Sequence, residues 1–388
     1  MKILVHVRNN GSIWGGDMAA INSLCNGLRL AGAEVLLSPN IQDALACDLA
    51  IITNTCLDQR SVSQYLVVNG IPYAVLPFQE DFIKYFQASI SFAMTAEVLL
   101  KDGFINDQKI TLEYWGKFPH LISFNACKIP NSNIISRMVL EQAVCVMPSS
   151  NFELNTVVRD SPNANVHVIK FPAGLTENFS GKKTDVFNEF ISSNESYILQ
   201  VGRLEVRKNQ IATVLATADI PKTLVLVSTK SHNKNYSELL FKLIKKYRKY
   251  RTVVVSQEYD SVVDGVLEII KMPDGEKLSY EMLESAYRNA AINLHPAFHE
   301  LPGYTYLESV HCGIETIISD WTSVREYLVA EDDADIASVN PCNILDIKNS
   351  VIDGVYGKKF SSSKIKVDSI SVEQYGVAVM NCLLKSMR

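Results

Sequence analysis

The chain lacks the sequence features of metal-binding, disulfide-linked and membrane-spanning proteins. Its eight cysteines form no Cys-x-x-Cys pair and stand at no metal-ligand spacing from the seven histidines. No run approaches the roughly 20 apolar residues of a spanning helix, and the apolar run in MKILVHVRNN is interrupted by His6 and Arg8, unlike a secretory signal. We therefore expect a cytosolic protein with reduced cysteines.

An excess of positive charge is also absent. The sequence has 37 Lys and Arg residues against 42 Asp and Glu residues, a formal net charge of -5, whereas nucleic-acid binding requires a basic surface. We expect no nucleic-acid partner. The chain does have a core-forming composition, with 47% hydrophobic and 20% charged residues, and its 388 residues suffice for two domains of ordinary size.

Short apolar segments alternate with helical patterns along the chain, which is typical of parallel sheets covered by helices on both faces. Strands are predicted near residues 2–7, 34–37, 49–53, 72–76, 143–147, 223–227, 252–255 and 266–270. Residues 176–195 are polar without a sustained period, which indicates a linker. The sequence therefore predicts an α/β fold with doubly wound domains at 1–175 and 196–370 and a final helix at 371–388.

The stretch NLHPAFHELPGYTYLESVHCGIETIISD carries the strongest functional signal. A strand ends in a loop that holds Glu300, and helical spacing begins near Tyr304, which places Glu308 on the helix. The backbone N–H groups at Gly303, Tyr304 and Thr305 would form an anion site at the helix start, and a diphosphate suits such a site. The carboxylates of Glu300 and Glu308, before and after it, are suited to bind hydroxyl groups.

Two further loops follow strands and precede helices. In the second half, Gly202 and Arg203 follow a strand of buried type, and Lys208 stands at the start of the next helix, so that two cations flank this helix start. In the first half, the pair Gly15 and Gly16 lets the backbone approach a ligand closely, just ahead of a helix. A flexible turn without a ligand is the alternative interpretation of the glycine pair.

These elements resemble the signature of retaining glycosyltransferases of the GT-B architecture, in which two Rossmann-like domains face each other across a cleft, and in particular of glycosyltransferase family 4. The family pattern is Glu, seven residues, Glu, and Glu300 and Glu308 match it, with Gly303 between them. In that family the first Glu contacts the transferred sugar, the second holds the nucleotide ribose, and the helix start takes the phosphates. The family's GR-x4-K element, matched by Arg203 and Lys208, holds the diphosphate leaving group.

The resemblance implies an enzyme that moves a sugar from a nucleotide-diphosphate sugar to an acceptor hydroxyl with retention of anomeric configuration, in glycan or cell-envelope polysaccharide synthesis. The first domain would bind the acceptor, which is a glycan, a lipid-linked molecule or a small molecule, and the second would bind the donor. The final helix would pack back toward the first domain. The implied catalytic residues are Glu300, Arg203 and Lys208, and the implied donor-binding residues are Glu308, Gly303, Tyr304, Thr305, Gly15 and Gly16.

No cofactor or metal is expected. Arg203, Lys208 and backbone N–H groups would supply the countercharge to the diphosphate. The acidic patch EDDAD resembles a metal-binding Asp-x-Asp motif, but it lies between helix and strand signals, and we assign it no metal.

The chain departs from the family in the first half. PYAVLPFQED resembles the strand and loop where a family histidine often faces the donor sugar, but Phe78 or Gln79 stands there. Gln79, Glu80, Asp81 and His120 remain unranked candidates for substrate contact. The departure leaves open a non-catalytic relative that binds a nucleotide sugar or a partner enzyme. The fold alone also leaves open another enzyme of this architecture, such as a nucleotide-sugar epimerase or a phosphorylase.

The most basic run is FKLIKKYRKYR, and its apolar residues share one helical face with those just before it. A packed helix with a solvated cationic face is the simpler interpretation. A weak contact with a membrane surface or with an acidic partner is the alternative. The membrane contact would place this cytoplasmic protein at the inner face of a membrane.

Overall fold

The computed structural model describes residues 1–7, 16–55, 58–79, 136–172, 178–228, 234–272, 278–331, 334–357, 364–368 and 370–387. The described residues form two compact units, one drawn from Met1–Phe82, Ser123–Gly174 and Asp368–Arg388 and the other from Leu175–Val367. The strands are β1 (Lys2–His6), β2 (Glu34–Ser38), β3 (Leu49–Thr53), β4 (Tyr73–Leu76), β5 (Cys145–Val146), β6 (Ile198–Val201), β7 (Leu224–Ser228), β8 (Thr252–Ser256), β9 (Val262–Asp264), β10 (Leu267–Lys271), β11 (Ile292–Leu294), β12 (Thr316–Ser319), β13 (Leu328–Ala330), β14 (Ser338–Val339) and β15 (Ile365–Val367). The helices are α1 (Gly16–Leu30), α2 (Asp58–Val68), α3 (Asn151–Asp160), α4 (Val186–Phe190), α5 (Gln210–Ala216), α6 (Lys234–Tyr247), α7 (Tyr280–Asn289), α8 (Tyr304–His311), α9 (Ile344–Tyr356) and α10 (Val372–Ser386), with short 3-10 helices at Ile41–Ala46, Val206–Lys208 and Val324–Tyr327.

The first unit is built on a parallel sheet with the strand order β2-β1-β3-β4-β5. Strand β3 reads LAIIT and is buried along its whole length, as expected of a strand that is covered on both faces. Strand β2 forms one edge, and most of its side chains are exposed. The core of this unit therefore lies around the central strands β1, β3 and β4.

The last helix, α10, packs against α1 within the first unit. A Cβ added to Gly376 would stand 1.9 Å from the carbonyl oxygen of Gly27, and one added to Gly27 would stand 2.5 Å from the carbonyl oxygen of Val372. Only glycine lets two helix backbones approach so closely. A capping box starts α10, because the side chains of Ser371 and Gln374 each accept a hydrogen bond from the other's backbone N–H.

The second unit is built on a larger sheet with the order β14-β12-β11-β6-β7-β8-β10-β9. Its strands pair in parallel, except that β9 is antiparallel to β10. Strands β7 and β8 are buried at every position. Strands β6 and β11 are neighbours, so the loops at their carboxyl ends lie side by side at the edge where open α/β sheets bind ligands.

Part of the predicted linker at 176–195 is helical and packed in the structure. Helix α4 lies inside it, and Phe187 and Ile191 are fully buried in the core of the second unit. A few apolar side chains among many polar ones show no helical period, which is why the sequence did not indicate this helix.

Helix-covered parallel sheets in both units confirm the predicted α/β fold. Each predicted strand is present, and its ends are shifted by no more than two residues. Within the described ranges, no helix is both long and apolar enough to cross a membrane.

Candidate functional site

Two loops meet at the carboxyl ends of β6 and β11. The first contains Gly202 and Lys208 and follows β6, and the second contains Glu300 and follows β11. A backbone hydrogen bond joins them, since the N–H of Phe298 donates to the carbonyl of Arg207 at 2.8 Å. Motifs that are far apart in the sequence are therefore adjacent in the folded chain.

Lys208 ends a 3-10 turn directly before α5. The next residue, Asn209, is left-handed with a φ of 57°, and its side-chain amide donates to the carbonyls of Pro296 and Pro341 at 3.0 and 2.9 Å. The stem of Lys208 passes over Gly202, where an added Cβ would stand 3.4 Å from Cδ of the lysine. The corner is thus fixed by Asn209, and Gly202 leaves room for the lysine side chain.

The ammonium group of Lys208 forms an ion pair with the Glu300 carboxylate, and Nη1 of Arg207 lies 3.4 Å from the same oxygen, Oε1. Glu300 is only 6% exposed. Burial alone would raise the pKa of Glu300, but Arg207 and Lys208 hold that pKa well below its ordinary value. Burial lowers the pKa of Lys208, and the Glu300 carboxylate opposes this effect. Glu300 is therefore an ionised carboxylate with two cations against it.

A second carboxylate, Glu205, links two arginines. Nη2 of Arg207 donates to Oε1 of Glu205 at 3.0 Å, and Nη2 of Arg203 lies 3.5 Å from the same oxygen. Burial would raise the pKa of Glu205, but Arg207 and Arg203 bring it below its ordinary value. Arg203, Glu205, Arg207, Lys208 and Glu300, which we call the ion cluster, carry three positive and two negative charges.

The ion cluster contains the three predicted catalytic residues, Arg203, Lys208 and Glu300. The structure connects the first two through Glu205, Arg207 and Glu300. Sequence reasoning missed Glu205 and Arg207. A usable signal was present in RLEVRK, a run of alternating charge directly after a buried strand, where the side chains gather at one edge of the sheet.

Helix α8 begins at Tyr304, as predicted. Gly303 precedes it with a φ of 83°, and a Cβ there would stand 2.7 Å from the ring of Tyr306, so both the backbone conformation and the available space require glycine. The backbone N–H groups of Gly303, Tyr304 and Thr305 at such a start have no acceptor within the helix. The side chain of Tyr304 is buried.

His295 lies between the ion cluster and α8, and the sequence reasoning did not single it out. Its side chain is fully buried, with Nδ1 at 3.2 Å from Oγ1 of Thr305, and a Cβ on Gly202 would stand 3.3 Å from its Cε1. Burial and the charge of Lys208 lower the pKa of His295 to about 3, so the imidazole is neutral. Its Nε2 has no hydrogen-bond partner among the described residues.

Glu308 lies on α8 and is 3% exposed. Its Oε2 accepts a hydrogen bond from the hydroxyl of Tyr287 at 2.9 Å. Burial raises the pKa of Glu308 to about 7, although Tyr287 and Lys208 act in the opposite direction. The carboxyl group is therefore near its titration midpoint at neutral pH, and a ligand that donates hydrogen bonds to it would favour the charged form.

Gln79, a candidate for substrate contact, has a structural role instead. It is buried; its Oε1 accepts from Thr55 at 2.5 Å, and its Nε2 donates to Asp160 at 3.0 Å. Its backbone N–H donates to Glu153 at 2.8 Å. These hydrogen bonds use the side chain and backbone of Gln79 to fix the loop after β4.

The remaining first-unit candidates are placed only in part. Gly16 is the first residue of α1. Gly15, Glu80, Asp81 and His120 lie outside the described residues. The part of the chain that the structure describes contains no group of three or more His, Cys, Asp or Glu side chains that could hold a metal ion.

No protein-family model matches the chain, and no curated protein matches its sequence. Solved structures do match. Sucrose-phosphate synthase from Thermosynechococcus elongatus has a TM-score of 0.65 at 14% identity, over 100% of this chain and 96% of its own. HepE from Anabaena, solved with UDP and glucose, has a TM-score of 0.63 at 12% identity, over 99% of this chain and 100% of its own. The lipopolysaccharide outer core galactosyltransferase WaaB has a TM-score of 0.58 at 11% identity, over 99% of each chain.

These likenesses show the fold. The neighbours are glycosyltransferases of the GT-B architecture, and they extend over both units of this chain. The chain therefore has the GT-B fold of two Rossmann-like domains. Its function depends on what the ion cluster and the start of α8 bind.

Proposed function

We propose that the protein is a retaining glycosyltransferase that moves a sugar from a nucleoside-diphosphate sugar to an acceptor hydroxyl. The observation that carries the proposal is the ion cluster. Three cationic side chains stand with Glu300 at the carboxyl edge of the sheet, and the helix start of α8 follows Glu300 in the same loop. A diphosphate is the ligand that suits such a concentration of positive charge and N–H donors.

The structural neighbours support the same donor class. HepE was solved in complex with UDP-glucose, and WaaB is a galactosyltransferase. The spacing of Glu300 and Glu308 favours glycosyltransferase family 4 among the families with this fold. We therefore propose a nucleoside-diphosphate hexose as the donor.

The reaction needs a place for the negative charge that grows on the diphosphate as its bond to the sugar breaks. Arg203 and Lys208 supply fixed positive charge, and Lys208 is buried, where electrostatic interactions are stronger than in water. Because this charge is larger in the transition state than in the intact donor, the cations lower the barrier and do more than bind the donor. The N–H groups at the start of α8 add hydrogen bonds to the same group.

The two carboxylates would hold the sugar and the nucleotide. Glu300 would accept hydrogen bonds from the transferred sugar and Glu308 from the ribose, and neither role needs proton transfer. The low pKa of Glu300 keeps it an acceptor at every working pH. Because neither carboxylate is assigned the role of a nucleophile, we propose that retention comes from attack of the acceptor on the face that the diphosphate leaves, without a covalent sugar–enzyme intermediate.

The setting of the reaction is part of the proposal. The ion cluster supplies the countercharge that a metal ion would otherwise provide, so transfer proceeds without a metal. The enzyme works in the cytoplasm on a glycan, lipid-linked or small-molecule acceptor, in the synthesis of a glycan or cell-envelope polysaccharide. The exposed lysines Lys242, Lys245 and Lys246 of α6 would allow a weak contact with an anionic membrane surface.

A non-catalytic nucleotide-sugar-binding relative is the second candidate. It is favoured by one observation, namely that Gln79 is held in structural hydrogen bonds at the place where the family often has a histidine facing the donor. The intact ion cluster favours the enzyme.

The test begins with a panel of nucleotide sugars and the thermal stability of the protein, since a ligand at a hundred times its dissociation constant stabilises by about 2.7 kcal/mol. The stabilising donor is then assayed for nucleoside-diphosphate release with candidate acceptors. We expect both stabilisation and release, and Lys208→Met should reduce release strongly and stabilisation less. Stabilisation without release would favour the non-catalytic relative, interconversion of the sugar without transfer would indicate an epimerase, and no stabilisation by any donor would contradict the proposal.

A further inference from the structure

We propose that Glu300 and Lys208 form a latch that the diphosphate of the donor opens, an inference that rests on the proposed function. In the structure Lys208 is paired with Glu300, whereas transfer needs Lys208 on the diphosphate and Glu300 on the sugar. Donor binding exchanges these partners. One ion pair thus keeps both groups out of use until a diphosphate arrives.

Glu300 is the fixed side of the latch. Its backbone pairs with that of Thr322, and its carbonyl accepts the backbone N–H of Ser323 at 3.3 Å. Its carboxylate also has Arg207 at 3.4 Å. Glu300 therefore stays in place and keeps a counterion when Lys208 leaves.

Arg207 does not move with the lysine, because several acceptors hold it. Its Nη2 donates to Glu205 at 3.0 Å, and its Nη1 donates to the carbonyl of His299 at 3.2 Å. Release of all of these contacts would cost far more than release of one ion pair. Arg207 thus remains the counterion that keeps Glu300 ionised.

Lys208 is the moving side. Among the described residues its ammonium group has one ion-pair partner, Glu300. Its backbone is held, since its carbonyl accepts from Gln200 Nε2 at 2.8 Å and its N–H donates to the carbonyl of Glu205 at 3.0 Å. Its stem lies over Gly202, which presents no side chain. The exchange therefore needs only rotation of the lysine side chain.

A diphosphate can open this latch because it offers more negative charge and more acceptor oxygens than a carboxylate that is already shared with Arg207. A ligand without a diphosphate has nothing to offer the lysine. A ligand must supply the free energy of the change that it causes, so breaking the ion pair makes the binding free energy of any diphosphate less favourable. Removal of the Glu300 charge should therefore tighten diphosphate binding.

The test measures the affinity for inorganic pyrophosphate by calorimetry, which does not require the nucleotide base to be known. Glu300→Gln keeps the shape and removes the competing charge, and it should bind pyrophosphate about tenfold more tightly than the wild type, which corresponds to about 1.4 kcal/mol. In a Lys208→Met background the same change should give no tightening, because the contact it releases is gone. Nucleoside-diphosphate release by Glu300→Gln should nevertheless fall.

Two further variants keep the test interpretable. Glu268 lies on β10, which β7 and β8 separate from β6, and its carboxylate pairs with Arg251. Glu268→Gln removes this carboxylate and should leave the affinity unchanged. Glu300→Asp keeps a charge but shortens its reach to Lys208, and it should bind pyrophosphate with an affinity between those of the wild type and Glu300→Gln. If Glu300→Gln fails to fold, Glu300→Asp replaces it, and tighter binding than in the wild type is then the expected result.

The outcomes separate the latch from the proposed function. Equal or weaker pyrophosphate binding by the Glu300 variants overturns the latch and leaves the diphosphate site standing. Tightening that persists without Lys208 overturns it too, because the effect would then be one of general charge. If neither the wild type nor any variant binds pyrophosphate, the diphosphate site is refuted, and the proposed function with it.

Discussion

Donor binding should depend on pH through Glu308. Burial raises the pKa of this carboxyl from an ordinary value near 4.5 to about 7. In the proposed complex the ribose hydroxyls donate hydrogen bonds to it, so the donor binds the charged form and lowers the pKa again. Affinity must therefore rise with pH as Glu308 loses its proton and must fall below neutral pH, where the proton has to be displaced.

The magnitude follows from that pKa. At pH 6 a group with a pKa of about 7 is mostly protonated, and its deprotonation on binding weakens the affinity about tenfold, or about 1.4 kcal/mol. At pH 8 the group is already charged and the penalty nearly vanishes. The dissociation constant should thus be about tenfold larger at pH 6 than at pH 8.

The assay is calorimetry with the stabilising nucleotide sugar at pH 6, 7 and 8, because its diphosphate, esterified at both ends, does not titrate in this range. Glu308→Gln is the matched control, since the amide has the same shape and no proton to lose. It should show no pH dependence and, at pH 8, an affinity lower by about 1 to 3 kcal/mol. A wild type without pH dependence, or a variant that keeps it, would refute the ribose role of Glu308.

The same carboxyl affects folding with the opposite sign. Because the pKa is higher in the folded chain, Glu308 stabilises the fold fully below about pH 4.5, and this stabilisation is lost as the pH rises through about 7. The loss is about 3 kcal/mol, since the pKa rises from 4.5 to about 7 and one pKa unit corresponds to about 1.36 kcal/mol. Glu308→Gln should remove this part of the pH dependence of the free energy of unfolding, and an unchanged profile would contradict the buried titration.

Three other predictions follow from the ion cluster and the α1–α10 contact. Lys208→Ala should lower kcat by roughly 10² to 10³ while it weakens donor binding less, and the addition of Arg203→Ala should cost less than the sum of the single effects. A kcat within about twofold of wild type in a folded single variant would show that this residue does not act on the leaving group. Chelation with EDTA should leave transfer intact, and loss of activity that magnesium or manganese restores would place a metal in the reaction. Gly376→Ala should lower the free energy of unfolding by about 3 kcal/mol, because the new Cβ meets the α1 backbone. The control Val377→Ala, at an exposed position, should change it by less than about 0.5 kcal/mol. Equal effects of the two variants in urea titration would contradict the glycine contact.

The fold could be predicted because its signals are local. A run such as LAIIT reports a strand buried on both faces, and the alternation of such runs with helical periods reports parallel sheets. The start of α8 could also be predicted, because Pro302 and Gly303 break the strand pattern immediately before helical spacing begins at Tyr304. Helix α4 was not, since its few buried side chains lie among polar neighbours.

The candidate site was predictable only in part. The sequence offered Lys208 and Glu300 as separate ligands of a donor, but their pairing depends on β6 lying beside β11, and no local pattern reports strand order. The placement of His295 had the same obstacle, because its contacts with Gly202 and Thr305 join separate segments of the chain. The raised pKa of Glu308 likewise arises from tertiary burial, which a single sequence does not show.

We propose that this chain transfers a sugar with retention from a nucleoside diphosphate that the ion cluster holds. The most direct measurement is the proton NMR spectrum of the product, recorded during the reaction with the stabilising nucleotide sugar and an acceptor. We expect that nucleoside diphosphate is released, that the product has the anomeric configuration of the donor, and that Lys208→Ala slows product formation and nucleoside-diphosphate release together. A product of inverted configuration, or equal turnover by the variant, would refute the proposed reaction.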